Sequence, residues 1–478
     1  MVSHSFSWRT AALLLAAAPA LAACVPNLGP APKPRSASSL ASASALPDQQ
    51  GQWPGEGWWQ AYGDPQLDAL IAEGLAGSPD IATAAARVAR AEGMAQAAGA
   101  AGGPTLEANA KGGSTKQSYN NGFPKEFVPK GWKSTGDASV RLGLDLDLFG
   151  RNRATRRAAL SERDAVRLDA SAARLALAAS IAGAYADLSR LYAERDVAEQ
   201  AARIRSESAK LVADRVANGL DTEGERAQAN ASVPATRADI SALDTSIELV
   251  RHQLAALVGA GPDRGLAPAR PRLAGSGAGS LPANAGIDLV GRRPDVAAAR
   301  LRVEAADQRV KAAKAAFYPD VSLSALIGVQ SLGLSKLVEQ DSIYGNAGPA
   351  LSLPIFDSGR RSGDYRSSRG DYDAAVADYD RVLLGALREV ADAVSNRAGL
   401  QREDKDVRAS LAQSETAYRI ARLRYEGGLS TYLSVLTAED AVVAARRRVA
   451  DLEARAFTID VALIRSLGGG FASEQGKG

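Results

Sequence analysis

Arg424-Tyr425-Glu426-Gly427-Gly428-Leu429 reverses the direction of an otherwise helical stretch. Upstream, residues 360–426 carry Leu383, Leu387, Val390 and Val394 at steps of four, three and four, and Val407, Leu411, Tyr418 and Tyr425 prolong the stripe. Downstream, Leu429, Leu433, Leu436 and Val443 open a second stripe that lasts to about residue 467. At 1.5 Å per residue, the outgoing arm spans roughly 100 Å. That exceeds the globular range, and two apolar stripes joined by a glycine turn read as an antiparallel hairpin packed like a coiled coil.

The same unit stands earlier in the chain. Residues 151–217 reach Arg215-Val-Ala-Asn-Gly-Leu220 and return to about residue 258. Ile181, Tyr185, Leu188 and Tyr192 mark the outgoing stripe; Ile240, Leu243, Ile247, Val250, Leu254 and Leu257 mark the returning one. Glycine supplies the left-handed residue that ends a helix at little steric cost. Shorter helices repeat too: Pro79 and Pro294 begin them 215 positions apart, and Pro104 and Pro319 follow them at the same spacing. A repeat at this scale is a tandem duplication. Pro234 interrupts only the first returning arm and is expected to kink it.

After each of those later prolines the period changes from helical to two. Val140, Leu142, Leu144, Leu146 and Leu148 alternate with polar residues, and Val321, Leu323 and Ala325 do the same. Each half therefore holds a β-hairpin, at about residues 104–149 and 319–356, wet on one face. Four strands cannot close a membrane barrel, because the smallest has eight; three copies supply twelve. The strands are long enough to cross a bilayer, and no helical run of about 20 apolar residues follows the leader.

Composition narrows the function. In 478 residues only 5% are aromatic, which favours long, closely packed helices. The 57 basic and 54 acidic residues nearly balance, and no basic block suggests nucleic acid. With His4 and His252 the only histidines and Cys24 the only cysteine, neither a metal centre nor a catalytic site is expected. Residues 1–23 read as a secretory leader ending Leu21-Ala22-Ala23-Cys24, the pattern that marks the cysteine for lipidation. The domains read as a tether over 24–52, a first repeat over 53–259 with its long hairpin at 151–258, a linker over 260–286, a second repeat over 287–470 with its hairpin at 360–467, and a tail over 471–478.

Several stretches together resemble the TolC-like outer-membrane efflux channels, in particular the OprM-like or NodT-type lipoproteins. They include Trp58-Trp59 with Asp64-Pro65, Arg292-Arg293-Pro294-Asp295-Val296, Phe317-Tyr318-Pro319, Leu353-Pro354-Ile355-Phe356-Asp357, Arg388-Glu389-Val390, the two hairpin turns and Leu467-Gly468-Gly469-Gly470-Phe471. The resemblance implies a homotrimer whose strands form a twelve-stranded β-barrel in the outer membrane, continued by an α-barrel across the periplasm. It implies a lipid on Cys24 as the only attached group. A periplasmic adaptor, bound to an inner-membrane pump of the RND class, would engage the hairpin tips and export drugs or other small molecules. Arg215, Gly219, Leu220, Arg424, Gly428 and Leu429 match the adaptor-docking tips. Leu433 matches a pore-narrowing residue; Thr437 stands where some relatives carry a carboxylate, and Asp440 is the nearby acid that could face the lumen.

Two other readings compete. A periplasmic adaptor lipoprotein also has a lipid anchor and a long hairpin, but would carry one hairpin rather than two with two strand pairs. A secreted enzyme lacks a plausible nucleophile, metal cluster or phosphate loop in this sequence.

Overall fold

The computed structural model describes residues 25–40, 45–46, 51–272, 281–282 and 285–472. The leader and the expected lipidation residue, Cys24, lie outside them. In chain order the main elements are α1 (Pro65–Gly77), α2 (Pro79–Ala100), β1 (Thr105–Thr115), β2 (Lys133–Asp145), α3 (Arg151–Ala217) and α4 (Glu223–Leu257). There follow α5 (Ala285–Arg292), α6 (Pro294–Ala315), β3 (Asp320–Leu332), β4 (Ile343–Ser352), α7 (Arg360–Glu426) and α8 (Tyr432–Ser466). The duplication is visible in the lengths: α3 and α7 each have 67 residues, α4 and α8 each 35.

Two compact units emerge. One holds Val88–Val166 and Ala299–Asp378 with the described residues before Arg35. Its centre is an antiparallel sheet in the order β1-β2-β3-β4, so β1 and β4 are unpaired edges. The register sets Leu106 opposite Leu142, Val140 opposite Ile327, and Val329 opposite Ile343. Because side chains alternate, Leu106, Val140, Leu142, Leu323, Ile327, Ile343 and Leu351 share one face. Glu107, Asn109, Arg141, Ser324 and Asn346 share the other. The apolar face is bare: Leu106 is 72% exposed and Ile327 65%.

The alternation expected through Leu148 stops earlier, at Asp145. Leu146 still donates its N–H to Val321, but Asp147 turns its carboxylate to the N–H groups of Asn152 and Arg153 and caps α3. Asp357 does the same for Arg361 at the start of α7. Orphan donors at a helix start take precedence over two further ladder positions. In the same unit the tether lies along α7, where Arg369 donates to the carbonyl of Pro30 and Tyr372 to that of Pro32.

The second unit holds Arg35–Arg87, Arg167–Ala298 and the described residues from Tyr379 onward. Tyr62, Leu67, Ile71, Ile181, Tyr185, Leu188, Leu254 and Phe457 form its largest core. Asp64 caps α1 through Gln66 N and also accepts from the Tyr185 hydroxyl at 2.6 Å and from Arg272 N at 2.9 Å. The buried Arg293 binds Asp295, Glu389 and the carbonyl of Ser466, joining α6 to α7 and to the end of α8. Such a fully paired buried arginine specifies one arrangement of three elements.

The described part of the 260–286 linker is pinned to the second unit: a 3-10 turn, Pro262–Leu266, is held by Arg264 to Glu73, and Ala269 is held by Gln66. Its glycines and prolines give no sign of these polar anchors. One expectation changes here. In α8 the buried stripe is Tyr432, Val435, Glu439 and Val442, whereas Leu429 is 72% and Leu433 56% exposed. Pro234 lies inside α4 without ending it.

Candidate functional site

Both hairpins turn in the same way. Leu220 N donates to the Arg215 carbonyl at 2.8 Å and Gly219 N to that of Val216 at 3.0 Å. Leu429 N donates to Arg424 at 2.7 Å and Gly428 N to Tyr425 at 2.9 Å. This paired pattern satisfies the last carbonyls of α3 and α7 and needs a left-handed residue. Gly219 and Gly428 supply it, with φ of 73° and 71°. The returning helices start differently. Thr222 and Glu225 form a reciprocal capping box at the start of α4, while Thr431 makes no side-chain cap on α8.

Leu220 and Leu429 project into solvent, as does Leu423. Arg424 is exposed, and no side chain among the described residues pairs with it. Apolar tips beside an available guanidinium can dock on another protein.

Arg215 does not share that freedom. Its guanidinium grips Asp221 at 3.0 and 3.2 Å and lies 4.7 Å over the Tyr425 ring. Tyr425 donates its hydroxyl to the same Asp221 carboxylate. The turn sequence places Arg215 among the docking residues; the structure uses it internally, with its side chain only 14% exposed. Asp221 and Tyr425 thereby fasten the first turn to the end of α7. Burial alone raises the Asp221 carboxyl, but the hydrogen bonds from Arg215 and Tyr425 outweigh it and hold the group below the ordinary carboxylate range.

Beneath this fastener, Val212, Ala229, Tyr425, Tyr432 and Val435 form a small core. Next to it lies a second polar bridge. Arg205 on α3 binds Glu439 at 2.8 Å, Asp440 at 2.5 Å and the Thr236 hydroxyl at 2.7 Å. Asp440, considered as a lumen-facing acid, is thus paired with an arginine of its own chain. A pairing from α3 is invisible in the sequence because 235 positions separate the partners. Glu439 is buried, and one of its oxygens has no protein partner. Burial raises its carboxyl more than Arg205 lowers it. Leu433 and Thr437 are exposed on α8, and the Thr437 hydroxyl bonds back to the Leu433 carbonyl.

Asp221 and Arg205 escape a reading of the sequence alone. Asp221 carries a readable signal, since the matching position after the second turn is the neutral Ser430.

Comparison with known proteins fits this geometry. The family model for outer membrane efflux protein matches residues 70–260 and 288–469, one match per repeat. The multidrug resistance outer membrane protein MdtP of Escherichia coli (strain K12) is 30% identical over 88% of this chain and 87% of its own. The fusaric acid resistance protein FusA of Burkholderia cepacia is 37% identical over 69% of this chain, a match that spans 63% of FusA. Among solved structures, the outer membrane protein VceC of Vibrio cholerae superposes with a TM-score of 0.83 at 41% identity, covering 88% of this chain and all of that one.

Proposed function

This chain belongs to the outer membrane efflux protein family, and from that premise we propose that three copies form a passive export conduit whose hairpin tips dock on a periplasmic adaptor. The chain is the outer-membrane channel component of a tripartite efflux pump. The observation that carries the trimer is the four-stranded sheet. Its apolar face is bare, its polar face can line water, and both edge strands are open. Open edges and uncovered apolar surface are costly in isolation; three copies edge to edge pair the open strands, and the outward apolar face is then covered by lipid.

The adaptor site is the pair of turns. Gly219 and Gly428 set the backbone, while Leu220, Leu429 and Arg424 offer the contact surface. The bridge of Arg215, Asp221 and Tyr425 holds the two hairpins of one copy together at rest, so opening the tip requires it to loosen. An RND-class pump beneath the adaptor, a lipid on Cys24 and a small-molecule cargo complete the proposal. The names of the relatives, multidrug and fusaric acid resistance, support drugs and organic acids as the cargo class.

Photo-crosslinkers placed at Leu220 and Leu429 test the docking site in cells that express adaptor and pump. Adaptor adducts at both positions, absent when the probe sits on the sheet at Ile327, support it. Adducts only at the sheet, with resistance intact, contradict it.

A further inference from the structure

The β1–β2 loop has a composition unlike the rest of the chain. Lys111, Lys116, Lys125, Lys130 and Lys133 are the only basic residues between Arg90 and Arg141. The last four belong to the loop and its strand ends, are all exposed, and have no ion-pair partner among the described residues. Glu126 is the one acid from residue 116 to residue 133. Elsewhere arginines dominate, and many are committed to carboxylates, as Arg205, Arg215, Arg264 and Arg293 are.

Aromatic rings are interleaved with these lysines. Phe123 is 67% exposed, Phe127 80% and Trp132 72%. They are held on a folded loop: Gly131 N donates to the Tyr119 hydroxyl, and Lys125–Phe127 form a 3-10 turn. The neighbouring β3–β4 loop lies alongside, with Leu334 N bonded to the Ser134 hydroxyl, and adds the exposed Leu334 and Val338. Both loops stand at the end of the sheet opposite the strand–helix junctions, as the pairing of Thr115 with Lys133 and of Thr105 with Gly143 requires.

Resting on the outer-membrane channel reading, we propose that this loop docks on the phosphorylated headgroups of the outer leaflet, its lysines on phosphates and its rings in the interfacial layer. Rings with an apolar body favour that layer. Ammonium groups on long stems can remain wet while meeting anionic headgroups. At this end of the sheet Leu334 and Leu337 lie against Gly136, on the same face as Val140 and Leu142, so apolar surface reaches the loops and the lysines stand at its border, where lipid chains would give way to headgroups. A partner protein does not explain why the cations are unpaired lysines on a surface that prolongs the sheet's apolar face.

The test uses the full-length complex in detergent, with bound lipid counted by native mass spectrometry. The probes are bisphosphoryl lipid A and the same lipid stripped of both phosphates. Wild type should bind the phosphorylated form at least about tenfold more tightly, less so as salt rises. The variant K116Q/K125Q/K130Q/K133Q should lose that preference at unchanged oligomer mass, while K311Q/K314Q keeps it. Phe127→Ser with Trp132→Ser should weaken both lipids alike. Equal binding of the two lipids by wild type overturns the proposal, as does an unaffected quadruple variant. A quadruple variant that alters the ion preference of the pore and leaves lipid binding intact also overturns it, by assigning the lysines to the channel mouth. In each case a conducting complex in vesicles leaves the channel reading standing.

Discussion

At the residue scale the tip depends on one carboxylate with two partners. Asp221→Ala leaves the half-buried Arg215 without its anion and the buried Tyr425 hydroxyl without its acceptor, a loss of about 1–3 kcal/mol for the orphaned hydroxyl. The expected outcome is a several-fold rise in resting conductance across planar bilayers at unchanged complex mass; unchanged conductance counts against the bridge as a closure. Arg215 and Arg424 occupy equivalent repeat positions and should separate cleanly. Arg215→Ala should raise resting conductance, whereas Arg424→Ala should reduce adaptor crosslinking alone.

Acid acts on the two carboxylates with opposite signs. The Asp221 carboxyl is held below its ordinary range in the folded chain, so its contribution is complete above the unfolded pKa and fades as pH falls through the folded one. The Glu439 carboxyl is raised in the folded chain. The folded state therefore binds the extra proton, and acidification from the raised value toward the ordinary one stabilises it. Thermal unfolding in detergent should show a gain on mild acidification that Glu439→Gln abolishes. Resting conductance should rise only at lower pH, and that rise should vanish in Asp221→Asn.

At the element scale the duplicated hairpins are legible because helix period, turn glycine and repeat spacing agree. The turn residues Gly219 and Gly428 sit in the left-handed conformation, with open space where a side-chain methyl would stand. Substitution there costs backbone strain rather than a clash. A β-branched residue is the worst case, at about 1–3 kcal/mol. Gly428→Val should weaken adaptor crosslinking and drug resistance at equal channel abundance, and Gly428→Asn should retain more of both because Asn tolerates this conformation. Unchanged crosslinking in the valine variant removes Gly428 from the docking site.

The features hidden from sequence at this scale share a physical form. Leu429 and Leu433 look like core by spacing, yet the tyrosines at 425 and 432 occupy the core instead, packed ring to ring at 5.8 Å. The Arg205 bridge and the Asp221 bridge join residues more than 200 positions apart. Periodicity reports which face of one helix is apolar; it does not report which polar residue of another helix arrives there. The strand pattern overruns β2 for a related reason, since Asp145 and Asp147 serve the helix start as well as the alternation.

At the scale of the whole molecule, function depends on completion of the sheet by other copies. One chain supplies four strands with two open edges and an apolar face that no other element covers among the described residues. The central claim is that three chains close one barrel. Its most direct test is the native mass of the complex extracted in detergent from the outer-membrane fraction. The predicted result is a mass of three chains, each beginning at Cys24 and carrying lipid. A hexamer, or a monomer released by salt without detergent, contradicts the shared barrel and with it the trimeric conduit.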